Sequence, residues 1–183
     1  FSAIEARVIA WLAGEAWVLD TFKSHGKIYE MAASRMFKVP VDRIVKGNSE
    51  YELRAKGKVA TLACGYQGGV NALIAMGALD MGLKESELSA IVEAWRKANP
   101  RIVNYWYTVD NAAKKAVRDK VPVMVGDVKF GVESGILFIT LPSGRKLSYI
   151  RPRLEIDHRF NKDSLTYEGI NQQSRQWERQ KTY

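Results

Sequence analysis

Arg54-Ala55-Lys56-Gly57-Lys58-Val59-Ala60-Thr61-Leu62-Ala63-Cys64-Gly65-Tyr66-Gln67-Gly68-Gly69 is the stretch around which the chain is organised. Within it Arg54, Lys58, Leu62 and Tyr66 recur every four residues. A four-residue step drifts only about 40° around an α-helix, so the four share one slowly turning stripe roughly 18 Å long. The stripe runs from two cations through an apolar side chain to an aromatic. A nucleoside triphosphate asks for that order: Arg and Lys for its phosphates, an apolar or stacking wall for its base. The same spacing also suits a solvated helix face that ends in a core aromatic. The rest of the chain has to decide between them.

Working outward, Ser49-Glu50-Tyr51-Glu52 reads as a capping box that starts this helix, and Gly65, Gly68 and Gly69 break it near Tyr66. Toward the N-terminus, Ser2-Ala3-Ile4-Glu5 is another capping-box pattern. Ile4, Val8, Trp11 and Leu12 then predict a buried helix face, interrupted by Gly14. A short helix with Trp17, Val18 and Phe22 ends at His25-Gly26, and another at 27–36 buries Ile28, Met31, Ala32 and Met36. Pro40 and Asp42 mark a turn or a short helical piece.

Beyond the stripe, residues 71–76 read as a short helix closed by Gly77. Leu88, Ile91, Val92 and Trp95 predict an amphipathic helix over 84–98, stopped at Asn99-Pro100. A helix over 101–119 places Val103, Trp106, Val109 and Ala113 inward and Lys114, Lys115 and Arg118 outward. At Pro122 the pattern turns β-like: strands are predicted at 121–125, 136–141, 146–150 and 164–168, with Pro142-Ser143-Gly144-Arg145 as a hairpin signal. The expected fold class is α+β, mainly α, with a small antiparallel sheet.

The 183 residues carry 28 Lys/Arg against 20 Asp/Glu, a formal charge of +8. That excess favours a polyanionic partner, most simply nucleic acid. It is concentrated at residues 145–183, where nine Lys/Arg face five acids. No apolar run reaches the 18 or more residues of a transmembrane helix, so no membrane partner is expected. The single cysteine, Cys64, forms no internal disulfide and fits a reducing, cytoplasmic compartment. With His25 and His158 as the two histidines, no zinc-ligand spacing is present.

Two segments together resemble the family A DNA polymerases of the bacterial polymerase I type. Phe1-Ser2-Ala3-Ile4-Glu5-Ala6-Arg7 resembles the family's motif A without its leading Asp, and Arg54-x3-Lys58-x7-Tyr66 resembles its motif B. The resemblance continues through Gly26-Lys27-Ile28-Tyr29, Phe37-x-Val39-Pro40 and Leu141-Pro142-Ser143-Gly144-Arg145-Lys146-Leu147, so it covers essentially the whole chain. Trp11-Leu12-Ala13-Gly14-Glu15 and Gly65-Tyr66-Gln67-Gly68-Gly69 look more like phage or prophage polymerases.

The resemblance implies residues 1–14 as the start of a palm, 15–120 as helical fingers with the motif B helix at about 49–66, and 121–183 as a hairpin and partial palm edge. It implies that Arg54 and Lys58 hold the triphosphate, with Lys58 also offsetting charge on the leaving pyrophosphate as the catalytic residue. Tyr66 would pack near the templating pair. Leu62 departs from the family's Phe or Tyr and keeps an apolar wall without ring stacking. Glu5 would be the steric gate against a ribose 2′-hydroxyl, and Arg145 and Lys146 would approach the primer–template. Phe1, the residue that would follow the motif A Asp, is not expected to lend its carbonyl to a metal here. Arg7, Tyr29, His25 and Cys64 are expected to be structural.

The implied partners are primer–template DNA, a dNTP and the remainder of a polymerase chain. The implied cofactor is a pair of Mg²⁺ ions, whose motif A and motif C carboxylates would lie before Phe1 and after Tyr183, so no metal ligand is expected within these residues. An excised piece that does not polymerise alone is the resulting expectation. Two rivals stand beside it. Glu5 speaks against a single-subunit RNA polymerase, which needs a small residue facing the 2′-hydroxyl. A non-enzymatic basic DNA-binding module explains the charge but not the ordered pair of motifs.

Overall fold

A computed structural model describes residues 3–158 and 161–182. The chain divides into two compact units, Phe1–Trp106 and Tyr107–Tyr183. The first is helical. Its elements are α1 (Ile4–Ala13), α2 (Ala16–Ser24), α3 (Ile28–Phe37), α4 (Leu53–Cys64), α5 (Val70–Ala75), α6 (Glu85–Ala98) and the first part of α7 (Pro100–Asp119), with 3-10 turns at Val41–Arg43 and Ser49–Glu52. The second holds the rest of α7 and one six-stranded sheet. The fold class is therefore α+β, mainly α, as the sequence predicts.

The helical core gathers on α4 and α6. Val59, Ala60, Ala63 and Cys64 pack with Leu73, Leu88, Ile91, Val92, Trp95 and Ile102, all buried. The rings of Trp95 and Trp106 stack at 5.9 Å. The face predicted for α6 is the face that is buried. Lys56 Nζ meets Glu87 at 2.8 Å, and Glu87 also accepts the N–H of Lys84 at 3.0 Å, so one carboxylate caps α6 and fastens it to α4. Lys56 first, and that cap second, hold the Glu87 carboxyl below the usual carboxylate range.

Two further contacts lock the unit. Glu15 is buried, and its carboxylate accepts the N–H groups of Arg101 at 2.9 Å and Ile102 at 3.4 Å. It therefore caps the N-terminus of α7, where backbone donors are unpaired and a negative charge is favoured. Gly57 is where α3 crosses α4. A Cβ there would lie 2.3 Å from the Tyr29 carbonyl oxygen and 3.0 Å from the Ala33 nitrogen, so only a hydrogen fits.

Several expectations need correction. Ile4, Val8 and Trp11 are 46, 44 and 56% exposed, and the buried residue of α1 is Ala10, which packs with Val18 and Ile28. Periodicity marks an apolar face but does not name its partner. Ser49 does not form a capping box: its hydroxyl bonds to the adjacent Glu50 carboxylate, and the segment is a 3-10 turn. Helix α4 stops at Cys64, two residues early, and Tyr66 sits in the following turn. On α7 Trp106 and Ala113 are buried as predicted, together with Ile102, Ala112, Ala116 and Val117, whereas Val103 and Val109 are only half-buried. Lys114 is not fully outward, because it folds back onto Asp110 at 2.6 Å. The capping box at Ser2 lies outside the described residues.

In the second unit the strands are β1 (Val123–Val125), β2 (Val128–Glu133), β3 (Ile136–Thr140), β4 (Lys146–Asp157), β5 (Lys162–Ile170) and β6 (Trp177–Lys181). They lie in sequence order and pair antiparallel throughout. Ser134 and Gly135 both have positive φ, as a tight turn between twisted strands requires. The hairpin predicted at 142–145 closes through Leu141 N–H to Arg145 O at 2.8 Å. The β4–β5 register shifts between Ile150 and Arg153, where Pro152 has no N–H to donate. Strands β2 and β6 and the outer half of β4 are additions to the predicted set.

Candidate nucleotide-facing site

Helix α4 presents Arg54, Lys58 and Leu62 at successive turns, all half-buried. Its opposite side is made of small residues, Gly57, Ala60, Ala63 and Cys64, which let α3 and α6 approach closely. Arg54 Nε donates to Glu30 on α3 at 2.7 Å, and its guanidinium lies 5.5 Å from the Tyr29 ring centroid. Glu30 raises the pKa of Arg54, so this cation is fixed in its charged form. Lys58 has no ion-pair partner among the described residues.

Leu62 and Tyr66 line a cleft of about 580 Å³ in the helical unit. Ile4, Glu5 and Val8 of α1 form another part of its wall, and Trp17, Val18, Ile28 and Trp95 its apolar interior. Tyr66 is 68% exposed. Its phenol pKa is still raised, first by what burial its hydroxyl has and second by the charge of Glu5. Glu5 and Tyr66, 61 positions apart in sequence, are thus electrostatic neighbours at one cleft. The lining of that cleft includes Glu5, Leu62 and Tyr66 but not Arg54 or Lys58, which stand one to two turns back along α4.

The chemistry available is that of an apolar slot with a carboxylate and a phenol at its mouth, next to a helix bearing two cations. Among the described residues no three His, Cys, Asp or Glu side chains gather as a metal-binding group.

The chain is 60% identical to a phage DNA polymerase. That protein, "DNA polymerase" of Bacillus phage SP02, aligns over 184 positions covering the whole of this chain, and the chain spans 28% of its length. No family model matches the chain.

The remaining predicted residues are dispersed. Arg7 lies over the Phe22 ring at 3.9 Å, a packing contact between α1 and α2. His25 is exposed and its Nδ1 accepts the N–H of Lys27 at 3.1 Å. Cys64 is buried, and burial pushes its thiol up to about 11 against the pull of Arg96. Arg145 and Lys146 are exposed at the β3–β4 hairpin of the second unit, with Lys146 Nζ 5.0 Å from the Phe138 ring centroid. Phe1 lies outside the described residues. Sequence reasoning did not single out Glu30 or Gly57. A glycine inside an otherwise strong helix former is a signal of close approach, and Gly57 could have been found that way.

Proposed function

We propose that this chain is the nucleotide-gripping segment of a template-directed DNA polymerase of family A. It would bind the incoming dNTP along α4 and the primer–template through its basic second unit. In this reading the Arg54 fork and the Lys58 ammonium hold phosphate oxygens. Leu62 supplies an apolar wall to the sugar and base, and Tyr66 caps the cleft at the end of the helix. Glu5 occupies the position that a ribose 2′-hydroxyl would need. Arg145 and Lys146 are free to meet backbone phosphates, which dominate affinity for DNA. Residues 1–14 would begin a palm and 15–120 would form the fingers. Two Mg²⁺ ions would supply stabilisation of the attacking and leaving oxygens.

The observation that carries the proposal is the meeting of Glu5 with Leu62 and Tyr66 at one cleft. Two segments that each resemble a polymerase motif have no reason to converge in a basic helical module that merely binds DNA. The similarity to the phage protein supports the DNA polymerase part of this reading.

The test is Glu5→Ala in the full-length polymerase. Removing the side chain should raise ribonucleotide incorporation relative to dNTP by roughly tenfold or more, the range expected for a steric contact in a binding pocket. Unchanged sugar selectivity would overturn the assignment of Glu5. Preferred use of ribonucleotides by the unmodified enzyme would favour an RNA polymerase instead.

A further inference from the structure

We propose that Glu30 is a positioning residue that aims Arg54 at the triphosphate. The inference rests on α4 being the nucleotide-binding helix, as proposed above.

Arg54 meets Glu30 through Nε alone, at 2.7 Å to Oε1. Among the described residues its two terminal nitrogens have no protein acceptor. A guanidinium has five N–H donors in a rigid plane. Anchoring the Nε edge fixes that plane and leaves the outer pair of nitrogens, the fork that fits two phosphate oxygens, for a ligand. The Tyr29 ring, at 5.5 Å, borders the guanidinium and limits its rotation.

The backbone makes this anchor rigid. Gly57 lies one turn after Arg54, and Tyr29 precedes Glu30. The close approach at Gly57 is to the Tyr29 carbonyl itself. Helix α3 is therefore seated against α4 at the residue beside Glu30, and the carboxylate is delivered to Arg54 by main-chain packing rather than by a flexible arm. The side chains are 34% exposed for Arg54 and 16% for Glu30. A half-exposed ion pair of this kind adds only about 0–1 kcal/mol to stability. Its value lies in orientation: an arginine held in place loses less freedom when a phosphate arrives.

A competing role is a latch. A carboxylate that had to be displaced by phosphate would hold Arg54 away from the ligand, and its removal would tighten nucleotide binding. The geometry favours positioning, because the fork and the anchor use different edges of the same plane.

The experiment is single-nucleotide incorporation by the full-length polymerase with Glu30→Ala, Glu30→Gln, Arg54→Ala and the double variant Glu30→Ala/Arg54→Ala. Glu30→Ala should raise the KM for dNTP roughly tenfold, the low end of what loss of an orienting partner costs at other sites, with kcat changed less. Glu30→Gln keeps an acceptor for Nε and should show a smaller rise. Inhibition by inorganic pyrophosphate should weaken in parallel, which locates the effect at the phosphate end. In the double variant, Glu30→Ala should add nothing to Arg54→Ala. An unchanged or lowered KM in Glu30→Ala, or effects that multiply in the double variant, would overturn the inference. Should Glu30→Ala not fold, Glu30→Gln decides: its KM must rise in the Arg54 background and stay flat in the Arg54→Ala background. An Arg54→Ala enzyme with normal KM would instead overturn the reading of α4 itself.

Discussion

Cys64 shows how a single buried group sets a pH dependence. Its thiol is pushed from 9.0 up to about 11 by burial, and the nearby charge of Arg96 opposes this only in part. The unfolded thiol loses its proton near 9.0, whereas the folded one keeps it until about 11. The unfolded state therefore binds fewer protons in that window, and stability falls as pH rises through it. Below pH 9 the contribution is complete. Urea unfolding of the chain from pH 7 to 11 should show a loss of stability between pH 9 and 11 that is smaller in Cys64→Ala. Equal pH profiles for the two proteins would contradict the assignment. The same burial makes the thiol a poor nucleophile, since reactivity belongs to the thiolate.

At the scale of elements, the α3–α4 crossing is the contact with the least tolerance. Gly57→Ala would gain about 1 kcal/mol in helix propensity. It would also force a methyl to within 2.3 Å of a backbone oxygen and 3.0 Å of a backbone nitrogen. Neither atom can rotate away, so the helices must part, and overpacking of this kind costs typically about 1–3 kcal/mol. The balance is net destabilisation of roughly 1 kcal/mol, read as a lowered Tm, accompanied by a raised KM for dNTP in the full-length polymerase as Glu30 moves off Arg54. A Tm equal to or above that of the parent would contradict so close a crossing at Gly57.

The elements also show what a sequence discloses. Helix α6 was legible because Leu88, Ile91, Val92 and Trp95 repeat at the helical period and all find the core. Helix α1 was legible as a helix, but its apolar face was assigned to a core it does not join, because periodicity carries no information about partners. Strand β6, Trp177–Lys181, offers almost no apolar alternation, and as an edge strand it is exposed or half-buried throughout. Strand β2 does alternate, with Val128 and Phe130 buried around the exposed Lys129, and this signal was available. The site divides similarly. The stripe on α4 was read from spacing and its connection to Glu5 from resemblance. The Glu30–Arg54 pair joins two helices across 24 positions, and no local pattern announces it.

At the scale of the whole molecule, the proposed function makes this chain one part of a larger polymerase. The described residues bring no three metal-ligating side chains together. On the proposed function, in which the rest of the polymerase supplies the metal-holding carboxylates, the purified 183-residue chain with Mg²⁺, dNTPs and a primed template should give no extension product on a sequencing gel, and primer extension by this chain alone would sink that expectation. The strip formed by Ile4, Val8 and Trp11 leaves apolar area in water that a folded protein ordinarily covers.

The second unit has a different kind of independence. Each of its six strands hydrogen-bonds only to the strand before it and the strand after it in sequence. No pairing waits for a distant part of the chain. Closing each hairpin loses little loop entropy, and each finished strand is a template for the next. Such a sheet has low contact order for a β-structure and should fold quickly for its class. It can be laid down strand by strand as it leaves the ribosome, with the outer edge of β1 fixed from the start and one growing edge that moves on as each strand is added.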